Sequence, residues 1–165
     1  MGLRQWLVEM GDASYYKVLE RELRGMRSVL DVGCGENSPL ARVNKNFNSF
    51  GIDVFGPSIA KSKKARIHND YKVGDILNLE AFFKPKSFDA VIALDVIEHF
   101  EKKYAIKLLR AMDKIAKKKV IILTPNGFAK QDAYDGNPLQ EHKSGWDISD
   151  FRKLGYKLFG IRGLR

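Results

Sequence analysis

The chain has 165 residues, 44% hydrophobic and 30% charged, enough to build one core without cross-links. Its one cysteine excludes an internal disulfide and any multi-cysteine zinc centre, and its composition predicts a soluble domain with no run of ~18 apolar residues to span a bilayer. The net charge of +9 is uneven: residues 1–99 carry 14 Lys and Arg against 13 Asp and Glu, residues 100–165 carry 15 against 7, a basic excess that would also suit nucleic acid.

The N-terminus, "MGLRQWLVEMGDASYY", introduces an acid too early for a signal peptide, so a cytoplasmic location is expected. A helical lead-in is predicted over about 1–26, with Asp12 as cap, apolar spacing through Tyr16, Leu19 and Leu23, and Gly25 as stop. "SVLDV" predicts the first strand, followed by a glycine loop and a helix over "SPLARVNKNF", with Ser38 as cap and Pro39 at the first helical position. "SFGIDV" and "GPSIAKSKKA" repeat the strand and helix, and a third strand is expected near His68 to Lys72.

Then come "GDILNLEAFF", a strand "SFDAVIALD", a helix from about Lys102 to Lys117 and a strand "KVIILTP". A loop, a helix from about Asp147 to Leu154 and a strand "YKLFGIR" end the chain. Alternating units of this kind predict an α/β fold: an open, doubly wound, mostly parallel Rossmann-like sheet with helices on both faces, in one domain over 1–165.

In such sheets ligands bind at the carboxyl ends of the strands, where Asp31, Asp53, Asp75 and Asp95 stand. The loop "LDVGCGEN" lacks the lysine of a phosphate-binding loop, and its acids Asp31 and Glu36 would repel a pyrophosphate. Those acids suit a ligand with an ammonium and a sulfonium. Asp53, 18 residues beyond Gly35, suits the hydroxyls of a ribose. Together these preferences describe S-adenosylmethionine, its ammonium near Asp31, its approach at Gly33 and Gly35 with Cys34 filling space, its ribose at Asp53 and its adenine near Asp75 and Ile76.

"VLDVGCGEN", "GIDVF", "GDI", "SFDAVIALDVIEHF" and "KVIILTPNG" resemble, in order and spacing, the motifs of class I S-adenosylmethionine-dependent methyltransferases of the type 11 kind, over about Ser28 to Asn126. The resemblance implies a cofactor-binding core over about 28–126 that includes Val54 and Leu94, and a loop and helix-strand unit over 127–165. One departure is Asn37, where the family's third loop glycine usually stands; Asn tolerates the left-handed backbone such a glycine adopts. The family sheet also has a seventh strand, antiparallel between the fifth and sixth, which this sequence does not reach, so the sheet is expected to lack it and the chain to be a fragment.

Methyl transfer needs an acceptor held in line with the methyl carbon, and a base where the acceptor must lose a proton. Asp95, Glu98 and His99, at i, i+3 and i+4, are the candidate catalytic residues and would share one helical face above the crevice. Two readings of the acceptor stay open. In the first it is a small molecule and no metal is bound. In the second, Asp95, Glu98, His99 and His142 are similar to the metal-binding quartet of the small-RNA 2′-O-methyltransferases, and the acceptor is RNA. A non-catalytic cofactor-binding or partner module is a further alternative. Trp6, Tyr15, Tyr16 and the loop from Phe128 to Ser144 are the remaining candidates to touch an acceptor, and His68 is expected to be structural.

Overall fold

A computed structural model describes residues 3–8, 12–44, 46–133 and 136–159. In chain order the elements are β1 (Leu3–Val8), α1 (Asp12–Leu23), β2 (Ser28–Val32), β3 (Asn48–Asp53), α2 (Gly56–Lys64), β4 (Asp70–Val73), α3 (Leu79–Phe82), β5 (Phe88–Leu94), α4 (Lys102–Ile115), β6 (Ala116–Thr124), α5 (Ile148–Lys153) and β7 (Lys157–Phe159). The strands form one sheet in the order β4-β3-β2-β5-β6-β1-β7, and every described pairing is parallel. From β2 the chain steps outward through β3 to β4; from β5 it steps the other way to β6. The order therefore reverses between β2 and β5, which opens a crevice above their carboxyl ends.

The doubly wound architecture is visible in the alternation along the central strands. Val29, Ala90 and Ile92 face one core with Leu19 and Leu23 of α1, while Leu30, Val32, Val91 and Ala93 face the other with α4 and α5. In α4 the apolar stripe Ala105, Leu108, Leu109, Met112 and Ile115 is buried and most of its lysines face outward, as the 3.6-residue period dictates. No helix among the described residues is long and apolar enough to cross a membrane.

The structure corrects the sequence reading at β1 and after β2. The lead-in expected to be helical begins with a strand, β1, and this strand fills the place between β6 and β7 where an antiparallel seventh strand was expected to be missing. "LRQWLV" gives no strand signal because Arg4 and Gln5 are adjacent and break the apolar/polar alternation that marks a half-buried strand. The helix expected over "SPLARVNKNF" is a single 3₁₀ turn, Pro39–Arg42; Ser38 caps it, and the chain is extended again at Val43. The asparagines beyond that point are poor helix formers. The last strand is Lys157–Phe159, with Tyr156 buried just before it; Gly160, Ile161 and Arg162 of "YKLFGIR" lie outside the described residues.

Trp146 ties the segment after β6 to this core. It is 1% exposed, its ring lies 5.3 Å from that of Phe151, its Nε1 donates to Ser144 Oγ at 3.0 Å, and its carbonyl accepts from Gly127 N. Trp146→Ala is expected to cost about 3–5 kcal/mol of stability by urea denaturation. A loss below about 1 kcal/mol would show that Trp146 is not what anchors the segment.

Candidate functional site

The crevice holds a cavity of about 340 Å³. Its floor is the loop after β2, which is strapped across the end of β3. Gly33 N and Cys34 N both donate to Ile52 O, at 2.8 and 3.2 Å, and Gly35 N donates to Asp53 Oδ2 at 2.9 Å. The other Asp53 oxygen accepts from Phe55 N at 2.8 Å, so the carboxylate is fixed from both sides. Gly33 (φ +68°) is required twice over: its backbone is left-handed, and a Cβ there would stand 2.7 Å from Val96 Cγ2. At Gly35 (φ +55°) a Cβ would meet nothing within 4 Å, so there the left-handed backbone alone calls for glycine. Asn37 has no positive φ, so the loop makes no left-handed demand at the position where the family's glycine was missed.

Of the expected donor-binding residues, Gly33, Asp53, Val54, Asp75 and Ile76 line this cavity, whereas Asp31, Cys34, Gly35 and Leu94 are not on its lining. Asp31 lies beneath the loop, 2% exposed, accepting from Ser38 Oγ at 2.5 Å with His68 Nε2 at 3.4 Å. Cys34 is buried against Gly51, and burial, reinforced by the charges of Asp31 and Asp53, pushes its thiol far up and keeps it protonated. Glu36 pairs with Lys61 at 2.8 Å. The negative charge in the cavity therefore comes from Asp53, Asp75, Asp95 and Glu101 rather than from Asp31 and Glu36. Asp75 also shapes the wall: its side chain accepts from Leu77 N and Asn78 Nδ2, both at 2.9 Å, and starts a 3₁₀ turn, Ile76–Asn78.

The expected single face of Asp95, Glu98 and His99 is not formed. Asp95 sits at φ +55° and only a 3₁₀ turn, Ile97–His99, follows, so no helix continues through the three. Asp95 and His99 line the cavity, and Glu98 turns into the protein. Its Oε2 accepts from Thr124 Oγ1 at 2.9 Å, and its carbonyl accepts from Lys143 N and Ser144 N, which joins the end of β6 to the loop opposite. His99 Nδ1 lies 3.2 Å from Glu141 O and its ring centroid 4.8 Å from that of His142, whose Nδ1 is 2.6 Å from Ala129 O. Ligating atoms of Glu98, His99 and His142 all fall within 4.8 Å of one another; Asp95 is not in this group. Burial holds the His99 imidazole below its ordinary value, which favours the neutral ring.

Tyr104 of α4 and Leu139, Gln140 and Lys143 of the loop complete the wall. The sequence reading assigned the loop as a whole to the acceptor side, but nothing in its pattern singled out these residues or Tyr104. Tyr15 and Tyr16 do not line the cavity. Tyr15 is on the buried face of α1, its hydroxyl pushed up first by burial and then by the charges of Asp95 and Asp31, and Tyr16 Oη accepts from Arg42 at 3.1 Å. The side chain of Trp6 lies outside the described residues. His68 is buried, as expected of a structural residue.

The family model described as "Methyltransferase domain" matches residues 30–124. The chain is similar to probable tRNA methyltransferase 9B of Mus musculus, 35% identical over 101 residues that make up 60% of this chain and 20% of that protein. It therefore spans about a fifth of the length of that relative. Two solved structures share the fold. Magnesium protoporphyrin IX methyltransferase from Synechocystis, with bound S-adenosylmethionine, has a TM-score of 0.58 at 23% identity, over 86% of this chain and 63% of that one. The small RNA methyltransferase HEN1 has a TM-score of 0.63 at 20% identity, over 84% of this chain and 20% of that one.

The Gly33–Val96 contact can be separated from backbone conformation by comparison with Gly25, which is also left-handed (φ +77°) but has nothing near its Cβ position. Gly25→Ala and Gly33→Ala are each expected to lose about 1–2 kcal/mol for the backbone. Gly33→Ala should lose clearly more by chemical denaturation, and equal losses would remove the contact from the account.

Proposed function

The chain belongs to the class I S-adenosylmethionine-dependent methyltransferase family, and from that premise we propose that it binds S-adenosylmethionine above β2 and β5 and transfers its methyl group to a small molecule admitted beside α4. The observation that supports this most is the continuity of the cavity: Gly33, Asp53, Asp75 and Ile76 share it with Asp95 and His99 and with the apolar wall of Val96, Phe100 and Leu139. One enclosure can therefore hold donor and acceptor in contact.

The residues fit the donor. Bound S-adenosylmethionine supplies an electrophilic methyl carbon on a positively charged sulfur. Among the described residues, four lining carboxylates, Asp53, Asp75, Asp95 and Glu101, against one lysine, Lys143, give the cavity a negative potential that favours a cation and disfavours a pyrophosphate. Each Asp53 oxygen is held by one backbone N–H and keeps lone-pair capacity for a ribose hydroxyl. Asp75 and Ile76 would flank the adenine, while Asp31 acts from below through its hydrogen bond with Ser38. On the acceptor side, the Glu141 carbonyl selects the His99 tautomer protonated on Nδ1, which leaves Nε2 to receive a proton from the acceptor.

A second reading has its own observation. Glu98, His99 and His142 gather three ligating atoms, and both imidazoles direct Nδ1 at a backbone carbonyl, the arrangement that orients metal-bound histidines. A divalent cation held there would supply positive charge that lowers the pKa of a ribose hydroxyl, and the acceptor would be RNA. The similarity in fold to HEN1 is compatible with this reading.

Calorimetric titration is expected to give micromolar binding of S-adenosylmethionine, weakened about tenfold or more in Asp53→Ala, the loss of one or two charge-assisted hydrogen bonds. Unchanged affinity in that variant would remove Asp53 from the ribose seat, and no binding by the wild type would overturn the proposal. If the second reading holds, Mn²⁺ raises the Tm of the wild type by mass action and does not raise that of His142→Ala. Equal shifts in the two proteins would leave the metal-free reading in place.

A further inference from the structure

At the other end of the sheet, the residues that lead into β2, β3 and β4 frame a second cavity, of about 560 Å³. Arg27 and Arg66 line it, together with Phe47, Asn46, Asn48 and Asn69, and no carboxylate does so among the described residues. Both arginines and all three asparagines are exposed, whereas Phe47 is partly buried. An adjoining cavity shares Arg27, Asn46 and Phe47 and adds Arg24, with Glu20 as its one carboxylate among the described residues. Asp89 lies nearby, its Oδ2 accepting from Arg27 N, but it faces two ammonium groups, Lys118 at 3.2 Å and Lys117 at 4.0 Å. The rim stays positive.

Arg66 itself is out of the ordinary. It follows the end of α2 with φ +55°, where glycine or asparagine would be unstrained, yet the chain carries a guanidinium there. Asn69 Oδ1 accepts from Ser49 N at 2.8 Å, which fixes that side chain and leaves its amide hydrogens to serve as donors.

We propose that this end of the sheet is a second binding site, for a nucleotide phosphate ester. Arg27 and Arg66 hold the phosphate, where a guanidinium offers two parallel donors. The asparagine amides meet the donors and acceptors of a base edge, and Phe47 supplies an apolar surface for the ring. β2 and β3, five and six residues long, put roughly 16–20 Å between this site and the donor crevice, so its ligand is held away from the methyl group. That ligand is either a free nucleotide or one unit of an RNA strand. The proposal is independent of the acceptor reading, because binding here is measured without turnover.

The test titrates the full chain with inorganic phosphate, adenosine monophosphate and a short fluorescent oligoribonucleotide. The nucleotide or the oligonucleotide should bind, and an Arg27→Gln/Arg66→Gln double variant should bind about tenfold or more weakly while keeping the Tm of the wild type. An oligonucleotide that binds far more tightly than the mononucleotide, with an affinity that falls steeply with salt, assigns the site to a strand; equal affinities assign it to a free nucleotide. Three results would overturn the proposal: neither nucleotide probe binds, the double variant binds both as the wild type does, or inorganic phosphate binds as tightly as the two nucleotide probes.

Discussion

The loop after β2 depends on the end of β3. Ile52 accepts two of its N–H groups through one carbonyl and Asp53 accepts a third through a carboxylate oxygen, so a segment with two left-handed glycines is held to one shape. That shape brings Gly33 against Val96, and Val96 begins the turn that carries His99. The glycine loop and the turn that bears His99 thus meet at one contact. Asp53 serves both as a strut of the loop and as a candidate ligand, and a carboxylate already satisfied by two N–H groups has little freedom to turn away.

The opposite wall of the crevice rests on a different clamp. Glu98 joins Thr124 at the end of β6 to the backbone of Lys143 and Ser144, and Trp146 fixes the same loop to α5. The loop wall, with Leu139, Gln140 and Lys143, is therefore attached to the sheet at defined points. Glu98 is first a structural residue in this arrangement. It acts chemically only where a metal draws on it together with His99 and His142, and the two acceptor readings differ in that use of one buried carboxylate.

What could be read from the sequence follows from how local each signal is. The central strands showed themselves by their apolar runs, and their carboxylate ends by position, so Asp53, Asp75 and Asp95 were found at the crevice from spacing alone. The direction of a side chain in an irregular turn is not local. The left-handed backbone at Asp95 sends Glu98 inward, and no helical periodicity reports it. Asp31 was legible as a strand-end acid, yet its place beneath the loop depends on Ser38 and His68, seven and 37 residues away. β1 was missed for a similar reason, since its place depends on pairing with β6 more than a hundred residues later.

On the function proposed above, the crevice between β2 and β5 seats an adenosyl ligand by its ribose. A crystal structure of the chain with S-adenosylhomocysteine tests it most directly. Ribose hydroxyl oxygens are expected at about 2.5–3.0 Å from the Asp53 carboxylate, with the adenine beside Asp75 and Ile76. A ligand bound elsewhere, or one in this crevice with its ribose turned away from Asp53, would contradict it.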